Sequence, residues 1–168
     1  LQRKPFTGKA ESFHENGKKK FTANYVSGVF DGEVLGWFAD EKPASKQAFA
    51  KGKPIGLSQL WYSNGELRKK AIFKDGLLEG EASEWYENGK LKEQVTFIEG
   101  KRTGSYKAWF EDGGMRVECG FRKDRKHGAE VERFVDDELG LEMELRFPKA
   151  KGSAGMFRME SGEDLGFE

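Results

Sequence analysis

Cysteine occurs once in this chain, at Cys119, so neither an intrachain disulfide framework nor a multi-cysteine zinc site can form. Histidine occurs only at His14 and His127. No P-loop, HExxH or GxSxG signature and no strand-linked GxGxxG is present, so neither a metal nor a cofactor is expected. An excess of either charge is also missing. Lys and Arg number 29, Asp and Glu 29, and the formal net charge is +0. No global field therefore recruits nucleic acid or an anionic membrane. No apolar run approaches the ~18 residues of a membrane-spanning helix. Hydrophobic residues make up 36% of the chain, below the ~45–50% of an ordinary globular domain. Charged residues reach 35%, above the usual ~25%. Composition alone leans toward disorder.

The residues that are present argue otherwise. With 22 Gly, 14 Phe and 4 Trp among 168 residues, the aromatics need somewhere to pack. The chain repeats itself without gaps every 24 residues: Gly8, Gly32, Gly56, Gly80, Gly104, Gly128 and Gly152 open successive units. Six complete units are expected, at 8–31, 32–55, 56–79, 80–103, 104–127 and 128–151, with a partial unit at 152–168. Together they form one repeat domain over 1–168. Five places after each opening Gly stand Phe13, Trp37, Trp61, Trp85, Trp109 and Phe157, with Arg133 breaking the column. One place further stand His14, Phe38, Tyr62, Tyr86, Phe110 and Phe134. A third column holds Tyr25, Phe49, Phe73, Phe97, Phe121 and Leu145.

Each unit reads as a β-hairpin. Asn16-Gly17, Asn64-Gly65, Asn88-Gly89 and Asp112-Gly113 separate two apolar-punctuated runs, and Asn-Gly predicts a two-residue type I′ turn. The second unit has Asp40-Glu41-Lys42-Pro43 there, which predicts a turn of another type; Asp136-Asp137 in the sixth is similar. Glycines four apart, Gly76 with Gly80 and Gly100 with Gly104, mark the link between hairpins. No helical period is sustained, so almost no helix is expected. A two-residue loop at Asn64-Gly65 places Tyr62 opposite Leu67 and Trp61 opposite Arg68. One face is then apolar, with Tyr62, Leu67, Ala71 and Phe73. The other is polar apart from a Trp row faced by cations: Trp37, Trp61, Trp85 and Trp109 with Arg68, Lys92 and Arg116.

The pattern G-xxxx-W-Y-x-N-G-x-L, followed by a Phe and a G-xxx-G link, resembles a MORN repeat. It is most similar to the variant repeat of bacterial chains described as YwqK-like antitoxins. The resemblance implies an all-β, elongated single-sheet solenoid of consecutive antiparallel hairpins. It also implies a non-enzymatic binding or scaffolding role, with a protein partner or a membrane phospholipid.

Chemistry-bearing residues are sparse. Cys119 falls in the column of Ala71 and Val95, the place of a packed thiol rather than a nucleophile. His14 stands where other units have Tyr or Phe, and the two histidines are too far apart in the array to share a metal. Lys18-Lys19-Lys20 and the run from Arg122 to His127 are basic clusters, suited to a solvated face or a local anion contact. Nucleic acid is disfavoured by the balanced charge. The Trp row and its three cations are the candidate partner-binding residues, and no enzyme is expected. The chain opens at Leu1 without Met, as a processed form or fragment would, and no compartment follows from it.

Overall fold

A computed structural model describes residues 4–136 and 141–147. The partial unit 152–168 and the turn beyond Asp136 lie outside them. The strands are β1 (Gly8–Phe13), β2 (Lys19–Val26), β3 (Val29–Trp37), β4 (Pro43–Ala50), β5 (Lys53–Trp61), β6 (Leu67–Lys74) and β7 (Leu77–Leu78). They continue as β8 (Gly80–Trp85), β9 (Leu91–Ile98), β10 (Lys101–Trp109), β11 (Met115–Arg122), β12 (Arg125–Lys126), β13 (Glu130–Asp136) and β14 (Leu141–Phe147). All pair antiparallel in one open sheet, in the order β1-β2-β3-β4-β5-β6-β8-β9-β10-β11-β13-β14, with β7 on β6 and β12 on β11. The described residues contain no helix. The fold is the all-β, single-sheet array of hairpins that the repeat predicts.

The turns differ from expectation, and the difference decides which side chains share a face. At Asn64-Gly65 the Tyr62 N–H donates to Glu66 O and the Gly65 N–H to Tyr62 O. Gly65 has φ 98°, while Asn64 is not among the residues of positive φ. This is a three-residue loop, a type I turn closed by a glycine bulge, and not the expected type I′ turn. Tyr86 to Lys90 and Phe110 to Gly114 repeat it. So does Phe38 to Lys42, where Glu41 takes φ 70° in the glycine's place. The second unit therefore keeps the common turn, contrary to the sequence reading. The type I′ turns lie at the links instead, with both central residues left-handed: Asp75 (φ 51°) with Gly76 (φ 90°), and Glu99 (φ 50°) with Gly100 (φ 76°).

A second bulge, inside the strand that follows the turn, changes the register. Leu60 pairs with Lys69 but Trp61 pairs with Leu67, so Arg68 is the extra residue. Trp37 pairs with Pro43, Trp85 with Leu91 and Trp109 with Met115 in the same way. Strand alternation then puts Ala71, Phe73, Ala82, Val95, Ala108, Cys119 and Phe121 on one face, and the tryptophans on the other. The first face is the core. Its buried residues are small: Ala23, Ala71, Ala82, Ala108, Val95 and Cys119, with Phe121 the largest. Phe73, Leu78, Phe97 and Tyr106 pack over the cluster of Ala71, Ala82 and Val95. A single layer buries little by itself, so each unit depends on its neighbours for a covered surface.

Two ladders of hydrogen bonds join one unit to the next. Along the hairpin-turn edge, Tyr62 Oη donates to Trp85 O (2.8 Å) and Tyr86 Oη to Trp109 O (2.8 Å). His14 Nε2 lies 2.9 Å from Trp37 O and does the same work, so this nitrogen carries the proton. Asn16, Asn64 and Asn88 donate through Nδ2 to the carbonyls of Ala39, Glu87 and Glu111. Along the link edge, the N–H groups of Gly52, Gly76 and Gly100 donate to Phe30, Pro54 and Leu78 carbonyls. The columns of Tyr, Asn and Gly are thus the inter-unit bonds.

Candidate functional site

The four tryptophans sit at the ends of β3, β5, β8 and β10, each just before a turn, and each is half-buried. Their cross-strand partners are Pro43, Leu67, Leu91 and Met115, so tryptophan and apolar side chains alternate along the hairpin-turn edge. Equivalent residues of successive hairpins lie ~9–10 Å apart, two strand spacings, and the apolar partners occupy the intervening strands. Between Trp37 and Trp61 the strip holds an apolar notch of about 170 Å³ lined by Leu35, Gly36, Pro43, Ser45 and Lys46 as well as the two indoles.

The expected cation row is elsewhere. The Arg68 guanidinium lies 5.8 Å from the Tyr62 ring centroid and Lys92 Nζ 5.7 Å from that of Tyr86. Lys92 also bonds Glu84 Oε1 at 3.1 Å, with Lys69 Nζ 3.5 Å from the other oxygen. Burial pushes the Glu84 carboxyl up, but the Lys92 hydrogen bond and the two positive charges outweigh it and hold the group below its ordinary range. Arg116 acts on the Tyr106 hydroxyl, whose pKa is raised by burial and by Glu93. These cations belong with the tyrosines and the core, because the bulge turns them away from the tryptophans. A lysine does approach the row at its start, where Lys19 Nζ lies 5.9 Å from the Trp37 ring.

Sequence reasoning missed Pro43, Leu67, Leu91 and Met115 as members of this strip. Their signal was visible as an apolar column eleven places after Gly32, Gly56, Gly80 and Gly104, but the type I′ register assigned that column to the opposite face. The remaining chemistry-bearing residues are used structurally. Cys119 is buried, and burial raises its thiol pKa, which disfavours the thiolate. Among the described residues no cluster of His, Cys, Asp and Glu could hold a metal ion. No helix among them is long and apolar enough to cross a membrane.

Comparison with known families matches three segments, residues 6–27, 54–75 and 78–99. All three are similar to the MORN repeat variant. Each segment takes in most of one unit's hairpin and starts or ends near a link, as the register requires. MORN repeats typically form binding modules, and nothing in the site points to catalysis. No curated protein matches the chain.

Proposed function

We propose that the chain is a non-enzymatic binding module whose protein partner docks along the strip of Trp37, Trp61, Trp85 and Trp109. The alternation of these indoles with Pro43, Leu67, Leu91 and Met115 carries the reading, because a continuous half-covered apolar strip on a charge-rich sheet marks an interface. Trp is also the residue type most enriched at binding hot spots. The notch between Trp37 and Trp61 has room for one partner side chain. An extended, repeating strip suits a macromolecule better than a small substrate. An antitoxin-like role would be one case of such docking, its mark a toxin whose activity falls on binding.

Phospholipid is the weaker reading. Lys18 is paired with Glu41 (3.0 Å), Lys19 with Glu11 (3.2 Å), and Lys126 with Glu130, so both basic clusters are partly neutralised within the chain. Trp61→Ala combined with Trp85→Ala should abolish capture of the partner while circular dichroism still reports a folded sheet. Flotation of the wild-type chain with anionic vesicles, lost on replacing Lys18 to Lys20, would favour lipid instead. A double variant that keeps its partner would remove the strip from the interface.

A further inference from the structure

The tryptophan face is apolar well beyond the strip. Leu57 and Ile72 stand in mid-strand, Val26, Val29, Leu77 and Ile98 beside the links, and all six are exposed. Strand alternation from Ala23, Ala71, Phe73 and Phe97 and the pairs Val26–Val29, Leu57–Ile72 and Lys74–Leu77 put them opposite the core, with the indoles. An apolar sheet face calls for a second layer, and among the described residues this face has none.

The net charge of +0 conceals a polarity across that face. The hairpin turns 14–18, 38–42, 62–66, 86–90 and 110–114 hold seven carboxylates against three lysines. The links 26–29, 50–53, 74–77, 98–101 and 122–125 hold seven cations against three carboxylates. One long edge is acidic and the other basic. Between them the face has four rows, marked on β6 by Leu67, Lys70, Ile72 and Lys74 and on β9 by Leu91, Gln94, Thr96 and Ile98. Lys70 pairs with Ser83, two residues short of Trp85, and so stands one row in from the strip. Glu81 pairs with Thr96, one row in from the links. Lys46 is neutralised by Glu33 (3.0 Å) and Lys107 by Glu118 (3.3 Å). Lys70 and Glu81 are exposed, and neither forms an ion pair among the described residues.

We propose that a second copy of the chain covers this face, sheet on sheet, about a two-fold axis that runs along the array. The proposal rests on the strip being an interface, and names its occupant. Rotation about that axis lays the basic edge of each copy over the acidic edge of the other. It exchanges the strip row with the link row, so each tryptophan meets the residue eight places before it in the second copy. Trp37 then packs on Val29 and Trp85 on Leu77, while Trp61 and Trp109 face Lys53 and Lys101, a cation–π geometry. The two middle rows exchange as well, which sets Lys70 one strand, ~4.8 Å, to the side of the second copy's Glu81, twice over. The other face-to-face two-fold, parallel to the strands, would stack acid edge on acid edge. At ~4.8 Å between strands and ~3.3 Å per residue, the face offers on the order of 1,000 Å² per copy, more than the ~800 Å² of a stable interface. The contact is isologous and stops at two chains.

Sedimentation of the wild-type chain over a concentration series tests this. The expected result is a monomer–dimer equilibrium that weakens with salt, with acrylamide quenching of the indoles falling as dimer accumulates. Lys70→Glu alone and Glu81→Lys alone each oppose like charges at both contacts, and each should weaken the dimer about tenfold or more. An equal mixture of the two single variants should pair as the wild type does, because both contacts then oppose unlike charges. The double variant, with the charges exchanged, should do the same. Circular dichroism of every variant should match the wild type, since both positions are exposed and unpaired in the single chain. A wild-type chain that stays monomeric up to about 1 mM overturns the proposal. A dimer indifferent to the charge changes, or one that survives Trp61→Ala with Trp85→Ala, overturns it too. In each of those cases, loss of another captured protein from the tryptophan double variant would leave the strip standing as an interface for that partner.

Discussion

The two long edges of the sheet are made by turns of different kinds. At the link edge, two residues reverse the chain and both are left-handed, as at Glu99 and Gly100 (φ 50° and 76°). At the hairpin-turn edge, three residues reverse it and only the glycine is left-handed, as at Gly89 (φ 80°). The link turn starts on two-residue register, and the strands it joins then shift by two residues, as between Arg102 and Tyr106, which leaves every side chain on its face. The hairpin turn adds a residue, and a separate bulge at Arg68 and the equivalent places takes up the shift, so that Ser58 still opposes Ala71. That single extra residue moves the apolar side chain of each second strand to the tryptophan side and its cation to the tyrosine side. The character of the candidate site is set by a turn, several residues from the side chains it sorts.

The largest effects should come from removing left-handed glycine at either edge. Gly89→Val and Gly100→Val should each destabilise the chain by about 2 kcal/mol, because a β-branched residue is strained at these φ values. Chemical denaturation would measure both. Next in size is a pair of opposite effects that separates the two edges. Asn88→Gly should destabilise by about 1 kcal/mol, since the Asn88 side chain bonds both Glu111 O and Lys90 N and its own φ needs no glycine. Glu99→Gly should be neutral or stabilising, because Glu99 is held at φ 50° and glycine relieves the strain, against loss of no bond from its own side chain. If Asn88→Gly stabilises and Glu99→Gly destabilises, the two turn types have been exchanged.

Tyr86→Phe should cost about 1 kcal/mol by deleting the bond to Trp109 O, a difference readable in the thermal midpoint. The smallest effect is one of pH. Glu84 has a depressed pKa in the folded chain, so its contribution to stability is complete above the unfolded carboxylate range and fades as pH falls through the folded value. Stability of the wild type should therefore drop more steeply below the unfolded range than that of Glu84→Gln. Equal pH profiles would detach Glu84 from Lys92 and Lys69.

The repeat, the hairpins and the single sheet were legible because glycine and aromatic columns recur at a fixed interval, and only stacking covers them. The turn type was not, for a physical reason. Asn-Gly suits type I′ because Asn tolerates the left-handed region, but Asn also fits the right-handed position of a type I turn. Here Asn64 and Asn88 reach carbonyls of the next unit, contacts between residues 23 apart that local propensity does not contain. At the links, Asp75-Gly76 carried the ordinary type I′ signature, whereas Lys51-Gly52 and Glu99-Gly100 had no such mark. The tryptophan column itself was found from sequence. Its neighbours were not, since one added residue per turn reverses which of Leu67 and Arg68 shares its face.

The most direct measurement is proton–proton proximity at the end of each hairpin. Nuclear Overhauser spectra should connect the Trp61 indole to the Leu67 methyls and the Trp85 indole to the Leu91 methyls, with Arg68 and Lys92 side chains close to the Tyr62 and Tyr86 rings. Strong contacts from Trp61 to Arg68 and from Tyr62 to Leu67, with none between Trp61 and Leu67, would contradict the bulged register and dissolve the apolar strip.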